Sequence, residues 1–221
     1  MRDNRLDRLR GFFIINMILY HGLYDLVYLF HWNFPLDRLW WYQQFIGMGF
    51  IAIAGFSANI SRNSFIRGVK LLFWAMVLTF ITSYFIPEEK IQFGVLHLLA
   101  LSMLLTPVLK KGKNYSTFFF ILFFFLFVVF KMELLPWKNL LPSNCISFIW
   151  GVPDKNFQSS DYYPLIPWFF LFGAGYYGKT KVKLVKKKTA RDPLAFMGRH
   201  SLGIYLIHQP LLYLFFQILF H

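Results

Sequence analysis

The sequence predicts an all-α polytopic membrane protein, a bundle of about seven transmembrane helices. Of its 221 residues, 57% are hydrophobic, 22% are aromatic and only 15% are charged. Soluble domains contain about a quarter charged residues, whereas a bilayer solvates apolar side chains directly. Apolar segments of membrane-spanning length also recur between short basic loops. Together these observations exclude a disordered chain, a collagen and a water-soluble enzyme.

Seven apolar segments are the predicted spans. The first follows a basic stretch, as a signal peptide does, but it is too long, contains His21 and Asp25, and precedes no A-x-A cleavage pattern. We therefore expect a retained helix. The second contains small residues such as Gly47, Gly55 and Ala58, which allow close helix packing. The seven segments are residues 11–30, 39–60, 71–86, 91–109, 115–130, 164–178 and 201–220.

The loop 131–163, between the fifth and sixth predicted spans, includes a further apolar piece, residues 140–151. Pro142 lies within this piece, and Pro136 and Pro153 flank it. Proline interrupts helices, so we interpret the piece as re-entrant or interfacial rather than as an eighth span. We treat residues 1–221 as one integral membrane domain.

The basic residues predict the orientation of the bundle. With the N-terminus in the cytoplasm, the cytoplasmic segments contain 18 of the 23 Lys and Arg residues, many of them in the loop 179–199. The net charge of +13 then divides into +15 on these segments and −2 on the rest. Because basic loops remain on the cytoplasmic side, the N-terminus is predicted inside and the C-terminus outside, which requires an odd number of spans. The charge therefore does not indicate a nucleic-acid partner.

The first span contains the densest set of ionisable residues, which are costly in lipid and usually functional there. Arg10 lies at its inner end, and His21 and His31 follow roughly 16 Å and roughly 31 Å along the helix axis. His21 and Asp25 are four residues apart and share a helix face, so the carboxylate can orient the imidazole of a general base. Alternatively, the pair only satisfies its own hydrogen bonds in the bundle core.

The outer loop after this span concentrates His31, Asn33 and Asp37. Such a group can bind a polar acceptor and move a proton. The tryptophans around it equally fit an interfacial loop that is anchored at the membrane surface. The sequence leaves both interpretations open.

Five more polar residues are candidates for lining a site. Gln43 and Gln44 lie near the outer end of the second span, His97 in the outer half of the fourth, His208 in the seventh, and Asp161 before the sixth. A packed, hydrogen-bonded role competes with a functional one for each of the two histidines. Asp161 can also act simply as the N-cap of the sixth span.

A set of cations lies close to the predicted cytoplasmic ends of the helices. Arginine in such positions can bind phosphate groups bidentately, whereas attraction to anionic lipid headgroups accounts for most of the lysines in the inner loops. The set comprises Arg8, Arg10, Arg62, Arg67, Lys70 and Arg199.

Other site classes find little support in the sequence. The lone Cys145 excludes an intrachain disulfide. No spacing of Cys and His indicates a zinc site, and no G-x-x-x-x-G-K loop indicates a nucleotide phosphate site. We therefore expect no metal cofactor.

Two related patterns resemble known membrane enzymes. Arg10-Gly11 followed by an apolar run to His21 resembles the first-helix signature of acyltransferase family 3, whose members acylate extracytoplasmic carbohydrates. Nearly the whole chain, from Arg5 to Pro210, resembles the bacterial members of the heparan-alpha-glucosaminide N-acetyltransferase catalytic-domain family. The matching stretches are RLDRLRGFFIINMILYHGLYDL, FIAIAGFSANISR, FGVLHLLALS, SSDYYPLIPWFFLFGAGYYG and FMGRHSLGIYLIHQP.

The resemblance implies a transmembrane acyltransferase that moves an acyl group, typically acetyl, from cytoplasmic acyl-CoA to a sugar on the other side. It also implies a bacterial plasma membrane as the location, with membrane lipids and a sugar or glycan acceptor as partners. The lysosomal branch of the family uses a His in its first extracytoplasmic loop, and His31 is the matching position. That branch has Asn where this chain has His21, whereas acyltransferase family 3 has His there. Either imidazole is therefore a candidate base, and both N- and O-acylation stay open.

We therefore predict an acyl-CoA-dependent acetyltransferase in which His31 or His21 deprotonates the acceptor hydroxyl or amine. The assisting residues are Asp25 or Asp37, which would orient the base, and Asn33, Gln43 or His97, which would donate to the developing oxyanion. The runner-up is a proton-coupled transporter that uses His21 and Asp25 as a relay. A third interpretation is a non-catalytic lipid-binding scaffold. A homo-oligomer is compatible with the sequence.

Overall fold

The computed structural model describes residues 4–178 and 192–220, and their regular structure is helical apart from one isolated β-bridge. This result confirms the predicted all-α class. Most of the predicted basic loop, residues 179–191, lies outside the described residues. The helices are α1 (Asn4–Tyr28), α2 (Trp40–Ile60), α3 (Ser64–Phe85), α4 (Val95–Leu104), α5 (Thr106–Lys111), α6 (Ser116–Lys131), α7 (Leu165–Gly178), α8 (Pro193–Arg199) and α9 (Ser201–Phe220).

Four helical segments of the described residues are long and apolar enough to cross a membrane. They are α1, α3, α9 and the segment Lys113–Lys131, which includes α6. The helices α4 and α7 have 10 and 14 residues, and a helix of 14 residues is only about 21 Å long. Seven spans with a cytoplasmic N-terminus therefore stay a prediction.

Two helices begin earlier than the apolar segments that predict them. The helix α1 begins at Asn4 rather than at residue 11, and α3 begins at Ser64 rather than at residue 71. Arg and Lys have high helix propensity, so each helix extends beyond its apolar part into basic sequence. Hydropathy marks only the part of a helix that lipid would cover.

The predicted span 91–109 is divided in the structure into α4 and α5. The interruption is at Leu105, whose N–H still donates to the Leu101 carbonyl at 3.1 Å. Pro107 is the second residue of α5, where its missing N–H is tolerated because the first turn of a helix has no internal acceptor for it. The loop piece 140–151 contains a 3-10 turn, Ser147–Ile149, and no α-helix.

The chain divides into two compact units. The first unit comprises Met1–Phe50 and Leu184–His221. Within it, α8 and α9 both pack against α1. The packing of α1 on α8 brings backbone against backbone, because a Cβ on Gly198 would lie 1.7 Å from the carbonyl oxygen of Asp7. The core of this unit is formed by Ile14, Met17, Tyr20, Leu36 and Ile46.

The second unit comprises Ile51–Lys183. Within it, α3 packs on α4, α6 packs on α7, and α4 contacts α7. The amide of Asn59 donates to the Tyr176 carbonyl at 2.8 Å, and the hydroxyl of Tyr177 donates to the Leu109 carbonyl at 2.7 Å. These side chains connect the cytoplasmic ends that the sequence predicts for α2, α5 and α7.

Candidate functional site

A buried polar cluster lies between α1 and α9 in the first unit. The imidazole rings of His21 and His208 are 4.9 Å apart between centroids and meet edge to face. His208 is buried, and Asp25, one turn after His21, is completely buried. Two predicted residues of the first span are therefore brought together with one from the seventh, which is 187 positions away from His21 in the chain.

One hydrogen bond assigns the tautomer of His208 in this cluster. His208 Nδ1 lies 2.6 Å from the Tyr205 carbonyl oxygen. A carbonyl only accepts, so Nδ1 carries a proton, and the neutral ring has its lone pair on Nε2. Nε2 is buried and has no hydrogen-bond partner among the described residues. The His208 side chain therefore presents a basic nitrogen inside the cluster.

Gln209 on α9 binds the Asp25 carboxylate on α1. Its Nε2 donates to Asp25 Oδ1 at 2.6 Å, and its Oε1 is buried without a hydrogen-bond partner among the described residues. The sequence interpretation expected Asp25 to orient His21, and the structure adds a bond from Gln209 to that carboxylate. A buried acceptor without a donor is costly, so Gln209 Oε1 and His208 Nε2 both favour a ligand that offers N–H or O–H.

Sequence reasoning missed Gln209 and Asn16. Asn16 accepts from the Tyr42 hydroxyl at 2.6 Å and donates to the Phe12 carbonyl at 2.7 Å, which connects α1 to α2. Both residues are amides within otherwise apolar predicted spans, and this isolated polarity is the sequence feature that could have identified them. Gln43 and Gln44, which were predicted to line the site, are half-buried on the first turn and a half of α2.

The outer loop residues lie on the segment that follows α1. His31 has a left-handed backbone, with φ of 56°, and the next amide, Trp32 N–H, donates to the Leu26 carbonyl at 2.9 Å. His31, Asn33 and Asp37 are all exposed. Leu36 holds the segment in place, because its side chain is buried in the core beside Tyr20. His31 therefore has a backbone role at the end of α1 as well as an accessible imidazole.

The predicted phosphate-binding arginines of the first unit are gathered where α1 meets α8. Arg8 forms an ion pair with Asp192, and Arg10 forms one with Asp7 at 2.8 Å. Arg199 donates to Asn4 Oδ1 at 3.4 Å. A guanidinium has five N–H donors in a planar fork, a geometry that suits the oxygens of carboxylates and phosphates. Arg62, Arg67 and Lys70 belong to the second unit and are exposed at the start of α3 and in the turn before it.

Asp192 links the first turn of α8 to α1. Its side chain accepts from the Ala195 N–H at 3.2 Å as the N-cap of α8, and it also accepts from Arg8. The hydrogen bond from Arg8, with a smaller contribution from the Ala195 N–H, lowers the pKa of Asp192 below its ordinary value of 3.8. The charged carboxylate is therefore favoured in the folded protein.

We expect Asp192→Asn to remove a pH-dependent part of the stability while retaining the helix cap, because an Asn side chain also accepts from N2 and N3 amides. A lowered folded-state pKa stabilises the protein above pH 3.8, and this stabilisation is lost as the pH falls through the lowered pKa. Thermal midpoints measured from pH 7 to pH 2 should differ between the two proteins at neutral pH and converge below about pH 4. A difference that is constant over the whole range would contradict this assignment.

His97 in the second unit has both ring nitrogens occupied. Nδ1 accepts from the Gly94 N–H at 3.3 Å, so Nε2 carries the proton and donates to the Thr79 hydroxyl at 3.2 Å. Thr79 in turn donates to the Ile91 carbonyl at 2.6 Å. This arrangement caps α4 and connects it to α3, which supports a structural role for His97 over the predicted oxyanion contact.

Asp161 also acts on α4. Its Oδ2 accepts from the Val95 N–H at 3.0 Å, whereas the sequence interpretation had it cap the following helix, α7. That helix begins only at Leu165, so Asp161 caps α4 from another part of the chain. Sequence distance alone could not reveal this pairing.

We expect His97→Leu to destabilise the protein by about 1–3 kcal/mol, because the Gly94 N–H and the Thr79 hydroxyl both lose a buried partner. His97→Asn should cost less, since the Asn oxygen can still accept from the Gly94 N–H. Thermal unfolding of the two variants tests the order. If His97 is structural, turnover per folded molecule stays close to wild type in both, and a loss of turnover at unchanged stability would contradict that role.

Comparison with known proteins agrees with the resemblance read from the sequence. The family model described as heparan-alpha-glucosaminide N-acetyltransferase, catalytic, matches residues 2–210. No curated protein and no solved structure matches the chain. The matched range contains His21, Asp25, His31, His208 and Gln209, and it covers most of the 221 residues. This chain therefore belongs to the heparan-alpha-glucosaminide N-acetyltransferase catalytic-domain family.

Proposed function

We propose that this protein is a transmembrane acetyltransferase that moves an acetyl group from cytoplasmic acetyl-CoA to an amine or hydroxyl of an extracytoplasmic sugar. The observation that carries the proposal is the contact between the imidazoles of His21, which is half-buried, and His208, which is buried, between two helices of membrane-spanning length. Ionisable groups at such depth are costly and mark a functional path. Membership of an acetyltransferase family supports the reaction class.

The chemistry requires a base that takes a proton from the acceptor and later returns it to the leaving group. The acceptor nitrogen or oxygen loses its proton to a neutral imidazole as it attacks the thioester carbonyl carbon, and a tetrahedral oxyanion forms. The C–S bond then breaks, and the imidazolium protonates the departing CoA thiolate. His31 and His21 are the two candidate bases in this proposal. His31 is exposed on the segment after α1, and His21 is half-buried within α1.

The cluster around His21 suits a proton-transfer role. Asp25 is held by Gln209, and His208 Nδ1 is held by Tyr205, so the side chains on α9 are fixed by hydrogen bonds. Fixed orientation lets a base act without reorganisation during the reaction. The acceptor atoms that lack donors, His208 Nε2 and Gln209 Oε1, are suited to an amine or hydroxyl.

The arginines at the contact of α1 with α8 suit the phosphates of CoA. Arg8, Arg10 and Arg199 lie on the two helix segments that the charge distribution assigns to the cytoplasmic side. Asp192 orients the guanidinium of Arg8, and Asp7 orients that of Arg10. Guanidinium groups bind phosphate oxygens bidentately. In this proposal acetyl-CoA enters as a co-substrate from that side.

The first test is the thermal stability of the purified, detergent-solubilised protein with and without acetyl-CoA. A ligand at about 100 times its Kd should stabilise the folded state by about 2.7 kcal/mol. A phosphate-free control such as pantetheine should shift the midpoint less, because it lacks the phosphates that the arginines would bind. An unchanged midpoint with acetyl-CoA at millimolar concentration would overturn the proposal.

The second test separates the enzyme from the transporter. Vesicles containing the protein enclose methyl α-D-glucosaminide, and acetyl-CoA is added outside. An acetyltransferase releases CoA outside and forms acetylated sugar inside, in equal amounts, whereas a transporter moves the amine without consuming acetyl-CoA. Hydroxylamine treatment of the product then distinguishes an ester, which it cleaves, from an amide, which it leaves intact.

A further inference from the structure

The segment 132–150, which we call the apolar loop, follows α6 and exposes large apolar side chains. Seven of them are exposed, and Leu140 is the most exposed, with 82% of its surface accessible. Contiguous exposed apolar surface in a folded protein marks a contact with a protein or a membrane. The other six exposed side chains are Met132, Leu134, Leu135, Leu141, Ile146 and Trp150.

The charged residues of the apolar loop pair with each other. Between residues 132 and 153, Glu133 is the one acid and Lys138 the one base. The Lys138 ammonium forms an ion pair with the Glu133 carboxylate. The loop therefore has no net charge, and neither ionised group lacks a counter-charge. This pairing lowers the cost of bringing the loop close to a medium of low dielectric constant.

The apolar loop continues the exposed surface of α6. Only 11% of the apolar window in Lys113–Lys131 is buried within the protein, so in a membrane most of this surface faces lipid. Ile121, Phe125 and Val128 are exposed at helical spacing along it. Met132 comes one turn after Val128, and its N–H donates to the Val128 carbonyl at 2.9 Å. The exposed side chain of Met132 therefore extends the same stripe beyond the end of α6.

The chain then turns sharply at the end of α6. Glu133 has a left-handed backbone, with φ of 53°, and the Leu134 N–H donates to the Val129 carbonyl at 3.0 Å. These are features of a Schellman C-cap, in which the residue after the cap turns the chain and the next amide bonds back to the last turn. Leu134 is therefore held beside the last turn of α6, at the level where that helix ends.

Trp137 fixes the apolar loop to the rest of the second unit. Its side chain is buried, and its ring meets the Phe130 ring edge to face at 5.5 Å between centroids. A Cβ on Gly151 would lie 3.0 Å from the same indole, so the chain just after the loop also passes close to Trp137. The loop is thus held against the end of α6, while its other large apolar side chains stay exposed.

We propose that the apolar loop lies in the interfacial region of the bilayer and that its exposed side chains contact lipid. The leaflet is the one at the C-terminal end of α6, which the charge distribution predicts to be extracytoplasmic. This placement does not depend on the proposed acetyl transfer. It makes the loop a membrane contact of the protein in addition to the spanning helices.

The backbone favours an interfacial position over the re-entrant one that the sequence also allowed. Residues 140–151 contain no α-helix, and non-helical backbone exposed to the hydrocarbon core is not tolerated. Polar Asn139 is exposed directly beside Leu140. A depth of about 5–10 Å, at the boundary of headgroups and acyl chains, suits such a mixture.

Spin labels test this placement in the full-length protein, reconstituted into phosphatidylcholine vesicles. Molecular oxygen concentrates in the bilayer and a neutral nickel chelate in water, so the ratio of their collision rates reports the depth of a label. Cys145→Ser removes the one native cysteine. In that background single labels are placed at Leu140→Cys in the loop, at Ile121→Cys on α6 and at Lys155→Cys, all at exposed positions.

We expect the oxygen-to-nickel ratio at position 140 to be several-fold higher than at position 155 and lower than at position 121. A ratio equal to that at 155 would place the loop in water, and one equal to that at 121 would make it re-entrant. Low collision rates with both reagents would show that protein, such as a second copy, covers the loop. Each of these three results would overturn the proposal. Unchanged thermal midpoints in detergent verify that the variants fold.

Two charged variants test the lipid contact of Leu140 itself, with the label on the native Cys145. Leu140→Glu replaces the most exposed apolar side chain of the loop and should lower the oxygen-to-nickel ratio toward the value at position 155. Asn139→Glu adds the same charge at the neighbouring position, where the side chain is already polar, and should keep the ratio of the wild type. Equal ratios in the two variants would contradict an anchoring contact of Leu140 with lipid.

Discussion

We expect one of two single substitutions, His21→Asn or His31→Asn, to lower the rate of acetyl transfer by about 10²–10⁴-fold, the usual contribution of a general base. The other should retain most of the activity. Asn preserves polarity and hydrogen bonding but cannot accept the proton of the attacking group. The rate of CoA release with methyl α-D-glucosaminide, measured at saturating acetyl-CoA, identifies which imidazole is the base.

The choice of Asn matters most at position 31. His31, on the segment after α1, has a left-handed backbone with φ of 56°, which Asn adopts more easily than most other residues. His31→Asn therefore removes the imidazole while keeping the turn. His31→Ala removes the imidazole and also replaces a residue type that is several-fold enriched in the left-handed region, so it should lose stability by up to about 1 kcal/mol. Equal thermal midpoints for His31→Asn and wild type would show that any lost activity is chemical.

At position 21 the expected effect is on kcat and not on acetyl-CoA binding. His21 contacts the His208 ring, whose Nε2 lacks a described partner. If His21 is the base, His21→Asn should reduce kcat with little change in KM for acetyl-CoA, because the arginines near the α1–α8 contact are unaltered. Full activity in both His21→Asn and His31→Asn would exclude each of them as an essential base and would contradict the proposed mechanism.

The sequence predicted the helices well where apolar sequence has clear ends. The last span, residues 201–220, matches α9 because Arg199 and His200 precede an apolar run that continues almost to the last residue. The second span, residues 39–60, matches α2 within one residue. The predicted starts of α1 and α3 lie several residues too late, because basic residues can remain helical outside the apolar part.

The candidate site was predictable in its chemistry and only partly in its geometry. Ionisable residues in apolar spans identified His21, Asp25 and His208 without any structure. Their meeting depends on how α9 packs against α1, and periodicity within one helix contains no information on that packing. Gln209 was missed for the same reason, since its function is visible only through its bond to Asp25.

His97 and Asp161 show a second limit of prediction from sequence, which concerns structural residues. Both are polar residues beside apolar helices, and the sequence allowed either a functional or a structural interpretation. In the structure, His97 and Asp161 each form hydrogen bonds at the start of α4. Capping partners that are distant in sequence, such as Asp161 and Val95, cannot be recognised from local patterns, because the rules for N-caps describe residues next to the helix.

The second large effect is expected at the contact of α1 with α8. A Cβ on Gly198 would lie 1.7 Å from the Asp7 carbonyl oxygen, and one on Gly11 would lie 1.9 Å from the Leu194 carbonyl oxygen. Backbone oxygens cannot rotate away as side chains do, so Gly198→Ala must separate the helices. We expect a loss of at least about 1–3 kcal/mol, the usual cost of overpacking, measured as a lower thermal midpoint.

Gly203 on α9 provides the matched control, because a Cβ there would meet nothing within 4 Å. Gly203→Ala should be neutral or stabilise the protein by up to about 1 kcal/mol, since Ala has the higher helix propensity. Gly198→Ala should also weaken the stabilisation by acetyl-CoA, because Arg8 reaches Asp192 only while α8 lies against α1. If Gly198→Ala and Gly203→Ala behave alike in both measurements, α1 and α8 do not pack as closely as the structure indicates, and the arginine group proposed to bind CoA loses its support.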